Sequence, residues 1–163
     1  MADDEIAMTD EMMIRRAVEA DLPAIVRLLA NDPLGKTRER DAEPLPEAYL
    51  QAFAAVEAQA GNAVLVAEAD GRVIGCLQLT FIPGLTRLGM TRAQIEGVRV
   101  DESRRGERIG ERLFTHAIEA AREAGCGLVQ LTTDASRPDA HRFYERLGFT
   151  ASHVGMKLDL TRR

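Results

Sequence analysis

A mixed α/β fold is what this sequence of 163 residues predicts, and three features predict it. Asp70-Gly71 sits between two apolar runs and is a two-residue hairpin signal, so the strands on either side are antiparallel. Residues 94–133 read strand, helix, strand, a unit that closes as a right-handed parallel crossover. Apolar residues at helical spacing lie both before and after these strands. A hairpin and a crossover in one sheet imply helices on both of its faces.

Taken in order, Met12 to Val18 is a short first strand. Asp21 is placed to cap a helix with Pro23 in its first turn, and Ile25, Leu28 and Leu29 recur at helical spacing. Asp32-Pro33-Leu34-Gly35 stops that helix, and the charged, proline-rich stretch 32–46 is a loop. A second helix over 46–60 carries Leu50, Phe53, Val56 and Ala60 on one face. The period then switches to strands over 63–69 and 73–82, which Pro83-Gly84 ends. Residues 83–91 are a loop, 94–100 a strand, and 109–123 a helix with Gly125 at its C-terminal cap. Residues 127–133 form a strand, 138–147 a helix, and 149–160 a last pair of strands. Residues 1–11 hold five acids and no base, and are expected to be a disordered acidic tail ahead of one domain over 12–163.

Composition excludes several classes of protein. At 45% hydrophobic residues the chain can bury a core, yet no run approaches the roughly 18 apolar residues of a membrane helix. The net charge of -5 disfavours a general nucleic-acid binder. The tail carries all of that excess, because the remaining residues balance at 21 acids and 21 bases. Cys76 and Cys126 are expected as buried free thiols rather than a disulfide, which with the acidic start points to the cytoplasm. His116, His141 and His153 show no metal-ligand spacing, so no metal is expected.

The chemistry concentrates in Val98 to Leu113, which runs from a strand through a charged turn into a helix. Gly106 and Gly110 allow backbone to approach a ligand closely. A helix start presents unpaired N–H groups and a partial positive charge, which together suit an anion. Arg104, Arg105, Arg108 and Arg112 could add phosphate donors. The alternative is a solvated turn in which Glu102, Glu107 and Glu111 neutralise those arginines. No Walker A or Rossmann glycine pattern is present.

Val98-Arg99-Val100, the turn from Arg105 to Gly110, and Ala140-His141-Arg142-Phe143-Tyr144-Glu145-Arg146-Leu147-Gly148-Phe149 together resemble the GNAT superfamily of acetyl-CoA-dependent N-acetyltransferases. That family's phosphate turn reads [QR]-x-x-G-x-[GA]. Arg105 and Gly110 fill its ends, and Arg108 stands where the middle glycine is usual. The Arg108 side chain would either crowd the pyrophosphate or point outward and leave its N–H in play. The second motif is intact at Phe143, Tyr144, Gly148 and Phe149, with Ser136-Arg137-Pro138 in place of an asparagine often found before that helix. The resemblance implies a mostly antiparallel sheet with a splayed parallel strand pair. It also implies acetyl-CoA as co-substrate, held by the Val98-Arg99-Val100 strand and by the amides of Arg105, Gly106, Glu107, Arg108, Ile109, Gly110 and Glu111. The acceptor would be a primary amine of a small molecule or peptide. Homodimers are common in the family.

Amine attack needs the neutral form of a group whose ordinary pKa is near 10.4, so a base or a water relay is expected. Glu96 is the candidate, since it alternates with Val98 and Val100 on a face that would otherwise be apolar. Its other reading is a structural ion pair to Arg99 or Arg92. Tyr144 matches the family's usual proton donor to the departing CoA thiolate, against the reading of a packing tyrosine. Two further functions compete with the enzyme: a non-catalytic acyl-CoA sensor, and a domain for a different nucleotide.

Overall fold

The computed structural model describes residues 11–162. They fall into two compact units, divided after Gln130. The first contains one five-stranded sheet in the order β1-β2-β3-β4-β5, formed by β1 (Met13–Arg16), β2 (Asn62–Ala69), β3 (Arg72–Ile82), β4 (Arg92–Val100) and β5 (Leu128–Gln130). The first four strands pair antiparallel and β4 pairs with β5 in parallel, giving the mixed, mostly antiparallel sheet expected.

The hairpin forms for the reason the sequence gives. Asp70 and Gly71 both take positive φ, 51° and 69°, which a two-residue turn of this hand requires. Register then sorts the side chains. Leu65, Leu77 and Leu79 share one face with Ala93 and Ile95. Helix α3 (Ile109–Glu123) presses on that face through Ile109, Leu113, Phe114, Ala117 and Ala121, all buried. Gly75 is where it comes closest, since a Cβ there would lie 3.0 Å from Leu113 and 3.2 Å from Ile109. The opposite face carries Val66 and Cys76. There α1 (Leu22–Ala30) packs through Ile25, Leu28 and Leu29, and α2 (Glu47–Ala58) through Phe53.

Asp21 works differently from the expected helix cap. Its carboxylate turns back to accept from the Val18 amide at 2.8 Å and from both terminal nitrogens of Arg15 at 2.7 and 3.0 Å. Arg15 also reaches Glu68 on β2 at 2.6 Å, so the triad ties β1 to the entry of α1. Helix α3 ends in a Schellman motif, with Gly125 at φ 79° and the Cys126 amide bonded to Ala121.

The second unit, residues 131–162, contains α4 (Pro138–Arg146) and no strand. The strand pair expected over 149–160 is therefore absent. A strand exists only through a ladder partner, and among the described residues this segment has none. The strand expected over 127–133 is likewise confined to Leu128–Gln130. The loop expected over 83–91 contains a helical turn at Thr86–Gly89, distorted by left-handed Arg87 and Leu88. Residues 1–10 of the expected tail lie outside the described residues.

Hydrogen bonds from Arg15 hold the Asp21 carboxyl below the usual carboxylate value, against the effect of its burial. A depressed folded-state pKa stabilises above the unfolded value near 3.9 and loses that contribution as pH falls through the folded one. Asp21→Asn is expected to cost on the order of 2 kcal/mol at neutral pH. It should also flatten the loss of stability below about pH 4, checked by urea denaturation across pH.

Candidate active site

Strand β4 is the spine of the site. Its parallel pairing with β5 covers only Arg92, Ala93 and Gln94, and β4 then runs on alone on that side as Ile95–Val100. Within that stretch Gly97 takes φ 60° and forms a bulge, so that Gly97 and Val98 both stand opposite Leu77. The bulge re-aims the strand and leaves a row of main-chain groups without a ladder on the β5 side. Val98, Arg99 and Val100, the segment singled out in the sequence, are half-buried there.

After β4 the chain makes a tight turn. The Asp101 carboxylate accepts from the amide and hydroxyl of Ser103 at 2.9 and 2.8 Å, bonds that lower its pKa. Gly106 takes φ 90° and Arg108 φ 59°, two left-handed residues within the turn. Such alternation gathers backbone N–H groups into a concave anion-binding nest. Arg108 is the N-cap of α3 but offers no side-chain cap, so the helix start keeps its first donors, those of Ile109 and Gly110, for another acceptor.

The geometry resolves what Arg108 does in place of glycine. Its backbone adopts the conformation glycine favours, and its side chain lies in solvent against Glu111, 2.5 Å away. The other arginines are also engaged. Arg104 pairs with Glu107 at 2.8 Å and Arg105 with Glu102 at 3.4 Å, while Arg112 donates to the Met12 carbonyl at 3.0 Å. Acids three positions away thus pair with three of the four arginines expected as phosphate donors, the neutralised arrangement that the sequence offered as its alternative. The backbone of the turn keeps the donors that the expected anion site requires.

A second feature was not singled out in the sequence. On the α1/α2 face, register aligns Asn62 of β2, Gln78 and Thr80 of β3, Gln94 and Glu96 of β4, and Gln130 of β5. They make a polar row across an otherwise apolar sheet. Gln78 and Thr80 both donate to the side-chain oxygen Oδ1 of the buried Asn62 at 3.0 and 3.2 Å, and Gln130 donates to Gln94 Oε1 at 2.9 Å. The available signal was polar residues two apart, Gln78-x-Thr80 and Gln94-x-Glu96, within strands of apolar composition.

Glu96 belongs to that row, which corrects its expected surroundings. It is exposed, not set in an apolar face, because the Gly97 bulge breaks the alternation with Val98 and Val100. Among the described residues it makes no ion pair with Arg99 or Arg92. Arg99 instead reaches the buried Asp32 at 2.8 Å and donates to the Val98 carbonyl at 2.8 Å, tying the loop after α1 to β4. Beside it Cys76 is fully buried, and burial pushes its thiol up to about 12. Cys126 is free as well but only half-buried, short of the core position expected.

In the second unit the Phe-Tyr and Gly-Phe pairs of the sequence motif build one helix end. Gly148, at φ 94°, bonds to Glu145, and the Phe149 amide bonds to the Tyr144 carbonyl at 3.0 Å. This is a second Schellman motif, and its side-chain contact is Tyr144 edge-on to Phe149 with ring centroids 6.1 Å apart. Phe143 meets Tyr144 from the other side at 5.5 Å. The motif thus has a structural purpose, orienting the Tyr144 ring. Among the described residues no group of three His, Cys, Asp or Glu gathers as a metal site, and no helix is long and apolar enough to cross a membrane.

Family similarity accompanies this interrupted strand and left-handed turn. The model of the acetyltransferase (GNAT) family matches residues 23–149. The chain belongs to that family. A glucosamine 6-phosphate N-acetyltransferase of Trypanosoma brucei brucei is 34% identical over 158 residues, 94% of this chain and 100% of the relative. An aminoalkylphosphonate N-acetyltransferase of Salmonella typhimurium is 38% identical over 52% of this chain and 54% of its own. A solved structure described as a transcriptional regulator from Bacillus halodurans superposes with a TM-score of 0.90 at 49% identity, covering 92% of this chain and all of its own. The mixed sheet with its parallel β4–β5 pair is the GNAT architecture.

In a GNAT chain the left-handed position at the start of α3 suits glycine, and an arginine there carries a conformational cost of about 1 kcal/mol. Arg108→Gly is therefore expected to raise stability by a few tenths to about 1 kcal/mol, after loss of the exposed Glu111 pair. Equilibrium urea denaturation checks it.

Proposed function

We propose that this GNAT protein transfers the acetyl group of acetyl-CoA to the primary amine of a small, hydroxyl-rich acceptor bound over the polar row of β2–β5. The row is the observation that carries the reading. Amide and hydroxyl groups aligned across a sheet face suit the hydroxyl-bearing part of an acceptor, and Glu96 is the carboxylate among them. Glu96 stands two residues, about 7 Å of strand, before Val98, where the thioester arm of acetyl-CoA would lie along β4.

Acetyl-CoA supplies a thioester whose carbonyl carbon is attacked by the amine nitrogen; the C–N bond forms, the C–S bond breaks and CoA leaves as thiol. The chain's own groups do the rest. The turn from Arg105 to Glu111 holds the pyrophosphate on backbone amides. Glu96, directly or through water, takes the proton the amine must lose. Tyr144 is the proposed proton donor to the departing sulfur.

Arg92 refines the acceptor. It lies on the same face of β4 as Gln94 and Glu96, and has no ion-pair partner among the described residues. A cation at one end of the row and a carboxylate toward the other suit an amine that also carries an anionic group. Two relatives are named for substrates of that chemistry, a sugar phosphate and an aminoalkylphosphonate. The half-buried thiol and buried thiol are consistent with a cytoplasmic setting.

Thiol release with a panel of amines tests these roles. Glu96→Gln is expected to lower kcat about 100-fold with the KM for acetyl-CoA little changed. Tyr144→Phe should lower kcat with the same affinity for acetyl-CoA, and an unchanged kcat would remove Tyr144 from the chemistry. Arg92→Ala should raise KM about 10-fold or more for a phosphorylated amine and leave a neutral one unaffected. Binding of acetyl-CoA with no release from any amine would favour the sensor.

A further inference from the structure

We infer, resting on the proposed seat of acetyl-CoA along β4, that Arg99 is a positioning residue for the transfer. Anchored by Asp32, its guanidinium fixes the Val98 carbonyl at the edge where the thioester arm would lie, and ties the loop after α1 to that edge. Two contacts define the arrangement. One terminal nitrogen of Arg99 meets Asp32 Oδ2 at 2.8 Å, and the other donates to the Val98 carbonyl at 2.8 Å. A planar fork serves two acceptors at once in this way, whereas an ammonium on a flexible stem does not.

The Val98 carbonyl belongs to the open edge. The Asp101 amide donates to the Ile74 carbonyl at 2.8 Å, so the main chain of Asp101 faces β3. Antiparallel pairing alternates, which turns the main-chain groups of Arg99 toward β3 as well and those of Val98 and Val100 away from it. Just before them the Gly97 bulge sets two residues against Leu77, and there the ladder defines the peptide planes least. Side chains take over that task. The Cys76 thiol donates to the Gly97 carbonyl at 3.7 Å, and Arg99 holds the next carbonyl along. A carbonyl oxygen has two lone pairs, so that of Val98 can still accept from a ligand.

Asp32 connects this point to the loop. Its side chain is 6% exposed; Oδ1 accepts from the Leu34 amide at 2.9 Å, and its carbonyl accepts from the Lys36 amide at 2.9 Å. Gly35 lies so close to α1 that a Cβ there would stand 1.9 Å from the Leu29 carbonyl oxygen. The start of the loop is thus packed onto the helix end, and Arg99 sets its distance from β4. Stability alone does not account for the pair. It lies beside Cys76, which clusters with Ile25 and Val66, and in such surroundings an apolar pair of similar volume is often at least as stable. The Arg99 Nε is moreover buried with no partner among the described residues.

Calorimetry with acetyl-CoA and thiol release over the amine panel test this, beside thermal melting of each variant. Arg99→Lys keeps a cation for Asp32 but gives up the fork. It is expected to melt close to the wild type, to weaken acetyl-CoA binding about 10-fold and to lower kcat about 10-fold. The double variant Arg99→Met with Asp32→Leu removes both charges together, so it should match or exceed wild-type stability while showing the same losses. A merely structural role gives the opposite pattern, with activity following stability. Wild-type affinity and kcat in either folded variant would overturn the inference, and so would losses confined to variants whose melting temperature falls. Failure of the wild type to bind acetyl-CoA would overturn the proposed seat on β4, and this role of Arg99 with it.

Discussion

Backbone polar groups withdrawn from water must find partners, and β4 is where this constraint shapes the molecule. Its first three residues pair with β5 and the remainder does not, while the Gly97 bulge turns the strand on its β3 side. Along the half-buried Val98–Val100 the edge is left without a ladder on the β5 side, where an extended partner would complete it. Just beyond, two left-handed residues and an uncapped helix start gather more donors. The proposed acyl-CoA co-substrate, an extended chain ending in phosphates, would answer both needs.

That division of labour explains how the turn can depart from its family pattern. Interleaved glutamates pair with Arg104, Arg105 and Arg108 locally, and the proposed phosphate site rests on backbone rather than on these side chains. The conformation at 108 is retained with a different residue. Side chains matter more elsewhere on β4, where Asp32 and Arg99 lock the loop after α1 to the strand and the polar row is the proposed seat of the acceptor.

Much of the fold was legible in the sequence. Asp70-Gly71 fixed the hairpin, and the apolar period of Ile109–Glu123 gave α3 its observed bounds, because local conformational preference and burial agree there. The Glu96 environment was misread because simple alternation was carried through Gly97, a residue whose positive φ only the structure reveals. The polar row was missed because it is assembled by register across four strands, a property of pairing rather than of any one segment. The segment 149–160 has strand periodicity but lacks a described ladder partner, and periodicity specifies a face without saying what covers it.

The central claim is that open backbone, rather than arginine side chains, receives the co-substrate. Residue-resolved hydrogen exchange with and without acetyl-CoA addresses it most directly. The account predicts slowed exchange at the amides of 98–100 and 105–111, retained when Arg104, Arg105 and Arg108 are each replaced by glutamine. Unchanged exchange at those amides on saturation with acetyl-CoA, or loss of their protection in the glutamine variants, would contradict it.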